Sequence, residues 1–255
     1  MASYLVTGSA RGIGFEIVRQ LAAKPDNEVK TIFATSRTEN TRLKELTQQY
    51  PGRVIFVPIT VGDEISIRNA VPSIETALAD KGVNGLDVLI NNAGIVGWTH
   101  ATEMSMADLS DVFHINVTGV HMMIQAFLPL LRKGDQKKVI NISSSVGSIA
   151  RQPIYKSLPS ASYKVTKAAL NMLTVVWAQE LSEEGFTVLC QNPGWLKTDE
   201  ANSHADLPVG TGVEKVLENA KKVGQEGNGR FLNIHVPGWE KNPGLHQYDG
   251  KDLPW

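Results

Sequence analysis

The hydrophobic residues of this chain fall in short apolar runs that alternate with longer stretches of helical periodicity. Repeated strand–helix units of this kind are typical of a parallel sheet covered by helices on both faces. Seven apolar runs are predicted strands: Tyr4–Thr7, Thr31–Thr35, Val54–Val57, Val88–Asn91, Lys138–Ile142, Thr187–Gln191 and Arg230–Ile234. The pattern therefore predicts an α/β fold with a seven-stranded, doubly wound parallel sheet in a single domain spanning residues 1–255.

Helix signals stand between these strands. Ser105 followed by Asp108 is a capping-box start. A long helix is predicted from about Ser162 to Glu184, and Gly185 is a favoured residue for its end.

Two stretches are less regular, Arg151–Ser160 and the run from Trp195 to about Gly212. Both leave the carboxyl ends of predicted strands, where parallel sheets bind ligands. They are candidates for substrate contact, and plain surface loops are the alternative.

The composition narrows the classes of function. The 255 residues include 25 Lys and Arg against 26 Asp and Glu, with no basic block, so a nucleic-acid partner is not expected. Cys190 is the single cysteine, which agrees with a reducing compartment. No apolar run approaches the ~20 residues of a membrane-spanning helix, and the first strand leaves no room for a secretion signal. We therefore expect a cytoplasmic protein that does not bind membranes.

A glycine-rich loop follows the first strand directly. Gly8 permits a sharp turn, Gly12 lets backbone N–H groups approach a pyrophosphate, and Gly14 allows close packing of the next helix. The helix N-terminus then faces the phosphates. This spacing, in a strand–turn–helix context, predicts a Rossmann-type dinucleotide site that includes the intervening residues Ser9, Arg11 and Ile13.

The end of the second strand indicates which dinucleotide binds. Ser36 and Arg37 stand where NAD-binding folds usually carry an acidic residue for the ribose 2′-hydroxyl. Arg37, joined by Arg11, could hold a 2′-phosphate, since a planar guanidinium matches that group. The sequence therefore favours NADP(H), while Glu39 nearby keeps NAD(H) as the alternative.

Tyr163 and Lys167 stand four residues apart on the predicted long helix, so both side chains project from one face. A fixed ammonium one turn away favours a phenolate, and we therefore expect it to lower the pKa of the tyrosine. Such a tyrosine could act as an acid catalyst near neutral pH. His114 and His121 share another helix, but no third ligand accompanies them, so no metal site is indicated.

With these residues in place, the chain resembles the classical short-chain dehydrogenase/reductase family over nearly its whole length. Beside the glycine loop and the Tyr163–Lys167 pair, the resemblance rests on Asn91-Asn92-Ala93-Gly94, on Asn116 before Thr118-Gly119, on Ser143-Ser144-Ser145 and on Pro193-Gly194. Nineteen positions separate Ser144 from Tyr163, more than in most members. With the chain's final residues, that longer loop resembles a carbonyl-reductase-like branch that includes fungal polyketide ketoreductases of the norsolorinic acid ketoreductase type.

The resemblance implies an oxidoreductase that reduces a ketone or aldehyde with NADPH. Tyr163 would be the proton donor and Ser144 would polarise the carbonyl, with Ser143 and Ser145 as its competitors. Lys167 would also bind the nicotinamide ribose, and Asn116 would position a water in the proton relay. The implied cofactor contacts further include Asn92, Ala93, Gly94, Pro193, Gly194 and Thr198.

The substrate is expected to be a small carbonyl or alcohol compound. Trp98 and Trp195 follow turns near the expected nicotinamide position, so an apolar or aromatic pocket, with Val146 beside Ser144, is plausible. Family members often pair through the two long helices, here around Leu109–Leu131 and Ser162–Glu184, which suggests a homodimer or homotetramer, and a single-chain form is the alternative. The alternatives are an NAD-linked alcohol dehydrogenase and a catalytically idle protein that senses NADP(H).

Overall fold

The chain alternates strands and helices along most of its length. The computed structural model describes residues 1–198 and 204–255. Its strands are β1 (Ala2–Thr7), β2 (Val29–Ser36), β3 (Val54–Pro58), β4 (Val88–Asn91), β5 (Lys138–Ile142), β6 (Thr187–Gln191), β7 (Leu196–Lys197), β8 (Leu207–Pro208) and β9 (Phe231–Leu232). Its helices are α1 (Gly12–Ala22), α2 (Thr41–Gln49), α3 (Glu64–Ala79), α4 (Met106–Phe113), α5 (Gly119–Lys133), α6 (Ala161–Glu180) and α7 (Val209–Lys222).

Seven strands form one parallel sheet in the order β3-β2-β1-β4-β5-β6-β9. The chain builds outward from β1 to β3 and then returns to place β4 on the other side of β1. This reversal creates a crevice beyond the carboxyl ends of β1 and β4, which is the usual ligand site of a doubly wound sheet. The predicted fold class is thus confirmed. The short strands β7 and β8 pair with each other outside this sheet.

Both faces of the sheet are covered, so successive residues of one strand enter different cores. Leu5 of β1 packs in a cluster with apolar residues of α3, α5 and α6. Val6, the next residue, packs in a second cluster with residues of α1 and α7. Strands buried on both faces read as nearly continuous apolar runs, which is why the sequence pattern identified them.

The helix predictions hold in part. The Ser105 hydroxyl accepts the Asp108 N–H at 3.0 Å, which confirms the capping start of α4. A π-helical turn at His114–Thr118 connects α4 to α5. The helix predicted to reach Glu184 ends at Glu180 instead, and a separate 3₁₀ turn covers Ser182–Glu184 before Gly185 adopts a left-handed φ of 81°.

Residues 233–255, the C-terminal segment, fold back along the edge of the sheet. The Asn233 N–H donates to the Lys251 carbonyl and the Gly250 N–H donates to the Ile234 carbonyl. This pairing ends β9 earlier than the predicted strand Arg230–Ile234, because the backbone turns to the C-terminal segment. The Trp255 ring also stacks on the Phe231 ring, with 5.3 Å between the ring centres. Within the described residues, no helix combines the length and the apolar character that crossing a membrane requires.

Candidate active site

The glycine loop leads from β1 into α1 and has the shape of a phosphate cradle. Gly8 and Gly12 have φ values of 70° and 55°, a region that favours glycine. A Cβ atom on Gly14 would lie 2.2 Å from the Gly8 carbonyl oxygen, so only glycine fits there. The Thr198 side chain faces Gly12, with its Cγ2 atom 3.6 Å from where a Cβ would stand. The loop therefore fits a dinucleotide pyrophosphate between α1 and the turn after β6.

Two other predicted members of this loop have different surroundings. Ser9 is fully buried, and its hydroxyl donates to the Val6 carbonyl at 2.8 Å, so it braces the turn from inside. Arg11 is exposed at the N-cap of α1, and Ile13 is partly buried beside the apolar core.

The turn after β4 lies directly against the glycine loop. The Thr7 hydroxyl oxygen accepts the N–H groups of Asn92 at 2.9 Å and Ala93 at 3.0 Å. The Asn92 side chain returns a hydrogen bond to the Thr7 carbonyl at 2.9 Å. A Cβ on Gly94 would lie 3.1 Å from Asn116 Oδ1 and 3.7 Å from Lys167 Nζ. The turn therefore joins the glycine loop to the residues predicted to be catalytic.

Arg37 is exposed at the end of β2, beside the glycine loop. Two hydrogen bonds hold these segments together: Ser9 N–H donates to Thr35 O at 2.9 Å, and Asn40 Nδ2 donates to Ala10 O at 2.7 Å. The neighbouring Ser36 hydroxyl donates to the Thr38 carbonyl at 2.8 Å.

Glu39 is the carboxylate near Arg37 on which the NAD(H) alternative rests. It accepts a hydrogen bond from the Thr47 hydroxyl at 3.2 Å. This contact directs Glu39 toward α2, and both Glu39 and Arg37 are exposed to solvent.

The three serines after β5 have different partners. The buried Ser143 hydroxyl donates to Asn171 Oδ1 at 2.6 Å. The Ser145 hydroxyl, also buried, accepts from the Tyr155 hydroxyl at 2.8 Å. Ser144 is the one of these three described serines whose hydroxyl acts on the Tyr163 phenol, where it opposes the rise in the pKa of that group. The geometry therefore joins Ser144, and not its two competitors, to the predicted proton donor.

Burial sets the protonation of the Tyr163–Lys167 pair. It raises the pKa of Tyr163 to about 12, against an opposing effect of the hydrogen bond with Ser144. It lowers the pKa of Lys167 to about 8. The expected lowering of the tyrosine pKa is therefore corrected. The lysine Nζ lies 5.4 Å from the centre of the phenol ring and donates to the Ile142 carbonyl at 2.7 Å, while desolvation dominates the phenol.

Asn116 lies in the π-helical turn between α4 and α5 and is buried. Its Oδ1 accepts the Ile95 N–H at 2.9 Å, and its Nδ2 donates to the Ile95 carbonyl at 2.9 Å and to the Thr166 hydroxyl at 3.1 Å. Asn116 thus fastens the loop after β4 to α6, beside Lys167. Its role in a water relay stays a prediction.

The residues predicted to contact substrate occupy three loops, which follow β4, β5 and β6. Val146 is buried, and its N–H reaches the Ser144 hydroxyl oxygen at 3.4 Å. Pro193 and Gly194 follow β6, and the Trp195 N–H donates to the Tyr248 hydroxyl at 3.0 Å. Trp195 is 37% exposed and Trp98 is 64% exposed, so Trp98 faces mostly solvent.

The segment predicted to be irregular, from Trp195 to about Gly212, contains β7, β8 and the first turn of α7. Residues 199–203 of this segment lie outside the described part of the chain. The other irregular segment, Arg151–Ser160, contains a 3₁₀ turn at Gln152–Tyr155.

The two histidines considered as metal ligands have other contacts. His114 Nε2 lies 2.9 Å from the Gly62 carbonyl oxygen, and the His121 ring lies 5.5 Å from the Trp177 ring.

Several residues near the site carry no signal in the sequence. The Asn192 Oδ1 accepts the Ser145 N–H at 3.1 Å and so positions the turn that carries Ser144. Tyr155 supports the same turn from the loop after β5. His246 and Tyr248 reach the site from the C-terminal segment, far along the chain. Only the position of Asn192, one residue before Pro193-Gly194, could have identified any of them in advance.

Comparison with known proteins supports the same assignment. The family model described as short chain dehydrogenase matches residues 3–206. A short-chain dehydrogenase/reductase from Arthrinium sp. is 32% identical over 238 residues, covering 89% of this chain and 84% of that protein. A short chain dehydrogenase from Penicillium aethiopicum is 30% identical over 261 residues, covering 100% of this chain and 99% of that protein.

Among solved structures, the NADPH-bound carbonyl reductase from chicken fatty liver superposes with a TM-score of 0.86 at 32% identity. The match covers 100% of this chain and 99% of that one. The predicted likeness to the carbonyl-reductase branch is therefore confirmed. With its doubly wound sheet, its glycine loop and these relatives, the chain belongs to the short-chain dehydrogenase/reductase family of oxidoreductases.

Proposed function

We propose that this protein is an NADPH-dependent reductase of ketones or aldehydes. The observation that carries the proposal is the meeting of Ser144 with Tyr163, and of Tyr163 with Lys167, next to the crevice beyond β1 and β4. A hydroxyl pair that can contact one carbonyl oxygen, beside a dinucleotide cradle, suits hydride transfer coupled to proton transfer.

The cofactor proposal rests on the residues that would hold it. Gly8, Gly12 and the N-terminus of α1 would take the pyrophosphate, and Arg37 with Arg11 would take the 2′-phosphate. When bound, NADPH supplies the hydride. The carbonyl reductase of chicken fatty liver, a full-length structural neighbour, is described as NADPH-bound.

In the proposed mechanism, Ser144 donates a hydrogen bond to the substrate carbonyl oxygen and Tyr163 donates a proton to it. Because burial raises the pKa of Tyr163 to about 12, the phenol is protonated at neutral pH and ready to donate. Negative charge then develops on the phenol oxygen, and the Lys167 ammonium stabilises it. Asn116 keeps the loop after β4 in place beside this lysine.

The substrate is proposed to be an apolar or aromatic carbonyl compound. Trp195 presents a partly exposed indole at the end of β6, and Val146 adds an apolar wall next to Ser144. Ile95 and Val96, at 42% and 39% exposure, extend this apolar surface on the loop after β4. Apolar surface with few polar groups is typical of small-molecule pockets.

An assay of carbonyl-dependent NADPH oxidation, run side by side with NADH, tests the proposal. A panel of aromatic and aliphatic ketones, aldehydes and quinones covers the proposed substrate class. NADPH-dependent turnover supports it. Faster carbonyl reduction with NADH than with NADPH, together with oxidation of the corresponding alcohols by NAD⁺, would favour the NAD-linked dehydrogenase. Tight NADPH binding without turnover of any compound would favour the idle sensor.

Replacing Arg37 by alanine is expected to weaken NADPH binding roughly tenfold to a hundredfold and to leave NADH binding unchanged. A guanidinium–phosphate hydrogen bond contributes about 1.5–3 kcal/mol, and NADH has no 2′-phosphate to lose. Cofactor fluorescence titration of both dinucleotides measures this. Arg68→Ala is the matched control, because Arg68 is an exposed arginine paired with Glu64 on α3. An equal loss of affinity for both cofactors would contradict the role of Arg37.

Pairing of two copies through the two long helices, around Leu109–Leu131 and around Ser162–Glu184, which corresponds to α6, stays a prediction. It is supported by three exposed apolar side chains on one face of that helix, Val165, Met172 and Val176, at 48%, 65% and 44% exposure. Met172→Glu is therefore expected to shift a dimer or tetramer to smaller species in light scattering. Ile65→Glu, at an exposed position of α3, is the control and should leave the assembly unchanged. A wild-type protein that is monomeric at all concentrations would refute the pairing.

Two further expectations from the sequence stay predictions. One is the assignment of residues 1–255 to a single cofactor-binding domain. It is supported by the packing of the C-terminal segment on the same sheet. The other is a cytoplasmic location, which imaging of a tagged chain would test.

A further inference from the structure

The C-terminal segment places a partly buried histidine against the two loops that leave the carboxyl ends of β5 and β6. The centre of the His246 ring lies 5.9 Å from that of Tyr155 and 5.7 Å from that of Trp195. Tyr155 belongs to the loop after β5, and Trp195 belongs to the loop after β6. Because these loops border the crevice, His246 lies beside the proposed substrate pocket.

Asp206 sets the orientation of this ring. Its Oδ2 lies 2.8 Å from His246 Nδ1 and also accepts the Tyr248 hydroxyl at 2.5 Å. An ionised carboxylate has no hydrogen to donate, so Nδ1 must carry the hydrogen of this contact. The second ring nitrogen, Nε2, then keeps its lone pair and can only accept while the ring is neutral.

The neutral form of the ring is favoured. Burial lowers the pKa of His246 and outweighs the opposing hydrogen bond with Asp206, while the positive charge of Arg151 lowers it further. The His246 and Asp206 side chains keep only 11% and 17% of their surface exposed. An imidazole that is mostly buried, neutral and fixed in one tautomer offers a hydrogen-bond acceptor of defined direction.

We propose that His246 is a specificity-determining residue whose Nε2 accepts a hydrogen bond from a hydroxyl group of the substrate. This inference rests on the proposed function, because it concerns the substrate of that same site. The Tyr155 ring lies between His246 and Ser145, the neighbour of Ser144. The recognised hydroxyl is therefore proposed to stand on a different part of the substrate from the reacting carbonyl. The favoured substrates are hydroxylated aromatic ketones or quinones.

The test compares matched substrates. Naphthoquinones and 1-tetralones that carry one hydroxyl at each ring position are assayed with NADPH beside their methyl ethers and their unsubstituted parents. A methyl ether cannot donate a hydrogen bond. For the best-placed hydroxyl we expect kcat/KM to exceed that of the ether about tenfold, the size of one net hydrogen bond.

The His246→Asn variant distinguishes a role of His246 in recognising the substrate hydroxyl from a role in supporting the neighbouring loops. Asparagine keeps a donor near the position of Nδ1 for Asp206 but has no counterpart of Nε2. We expect the hydroxyl-to-ether ratio to fall to about one while turnover of the parents is retained. The matched control is His235→Asn, since His235 also pairs with a carboxylate, Glu240, but on the exposed side of the same segment. The control should keep the ratio.

A second measurement is independent of the variants and of turnover. Nitrogen-15 NMR of the wild-type histidines should show that Nδ1 of His246 is protonated and that Nε2 is unprotonated. Hydrogen on Nε2 would overturn the inference, and so would a wild-type hydroxyl-to-ether ratio near one at every ring position. An equal loss of turnover for all three substrate types in His246→Asn would also overturn it, because that result indicates a supporting role.

The outcomes separate this inference from the proposed function. Reduction of the parents without any preference for a hydroxyl refutes the inference and leaves the reductase proposal standing. If no compound is reduced, the reductase proposal fails. The same matched compounds are then compared by quenching of tryptophan fluorescence, where equal affinities for hydroxyl and ether refute the role of His246.

Discussion

Replacing Tyr163 by phenylalanine is expected to lower kcat for carbonyl reduction by about a hundredfold to ten-thousandfold, with NADPH affinity unchanged. A positioned general acid contributes about that factor, and phenylalanine has no proton to donate. The fold should be retained, because the ring stays and the substitution removes one hydroxyl whose partner is Ser144. Stopped-flow measurement of NADPH oxidation, together with cofactor titration, separates the chemical step from binding.

Tyr4→Phe is the matched control for this prediction. Burial raises the pKa of the Tyr4 phenol to about 12, as it does for Tyr163. Tyr4 lies within β1, however, away from the turn that carries Ser144. Equal turnover in Tyr4→Phe and wild type would show that placement, and not the raised pKa, makes a tyrosine the donor. Wild-type turnover in Tyr163→Phe would remove the proton donor from the proposed mechanism.

The sequence predicts the part of this site that backbone geometry requires. Gly8 and Gly12 could be assigned because their left-handed φ values are open mainly to glycine, and Gly14 because a side chain would collide with Gly8. The parallel strands could be assigned because burial on both faces gives continuous apolar runs. Their carboxyl ends then bring Ser144 and Trp195 to one edge of the sheet.

The features that could not be predicted are how deeply a side chain is buried and which way it points. The spacing of residues along the sequence encodes neither. A separation of four residues places Lys167 and Tyr163 on one helix face. It does not reveal that the amine donates to Ile142, or that burial outweighs its charge at the phenol. The contact between Asp206 and His246 joins residues 40 positions apart through loops without regular structure. Neither hydrophobic periodicity nor a short sequence motif could predict such a contact.

Replacing Lys167 by methionine is expected to lower kcat/KM for carbonyl reduction about a hundredfold, which corresponds to ~2.7 kcal/mol of transition-state stabilisation. The amine is buried and lies 5.4 Å from the centre of the Tyr163 ring, so its positive charge opposes the cost of negative charge on the phenol oxygen. Methionine is unbranched and close in length to lysine, so the packing of α6 should be retained.

The pH dependence of the same reaction gives a second readout. Burial lowers the pKa of Lys167 to about 8, so the amine is charged below that pH and neutral above it. Because the charged form stabilises the developing phenolate, reduction by the wild type should slow as pH rises through about 8. The profile of Lys167→Met should lack this fall, since methionine does not titrate. A fall of equal size in the variant would assign the titration to another group.

Lys164→Met is the control that distinguishes charge at the site from the loss of a lysine amine that is hydrogen-bonded to a backbone carbonyl. Lys164 stands three residues earlier on α6 and donates to the Tyr155 carbonyl at 2.7 Å, much as Lys167 donates to Ile142. Burial also lowers the pKa of Lys164, but its amine points to the loop after β5 and not to the Tyr163 ring. We expect its turnover and pH profile to stay within a few-fold of wild type, about the size of one net hydrogen bond. Losses of equal size in the two variants would show that Lys167 acts through packing alone, and the lysine would then have no electrostatic part in the reaction.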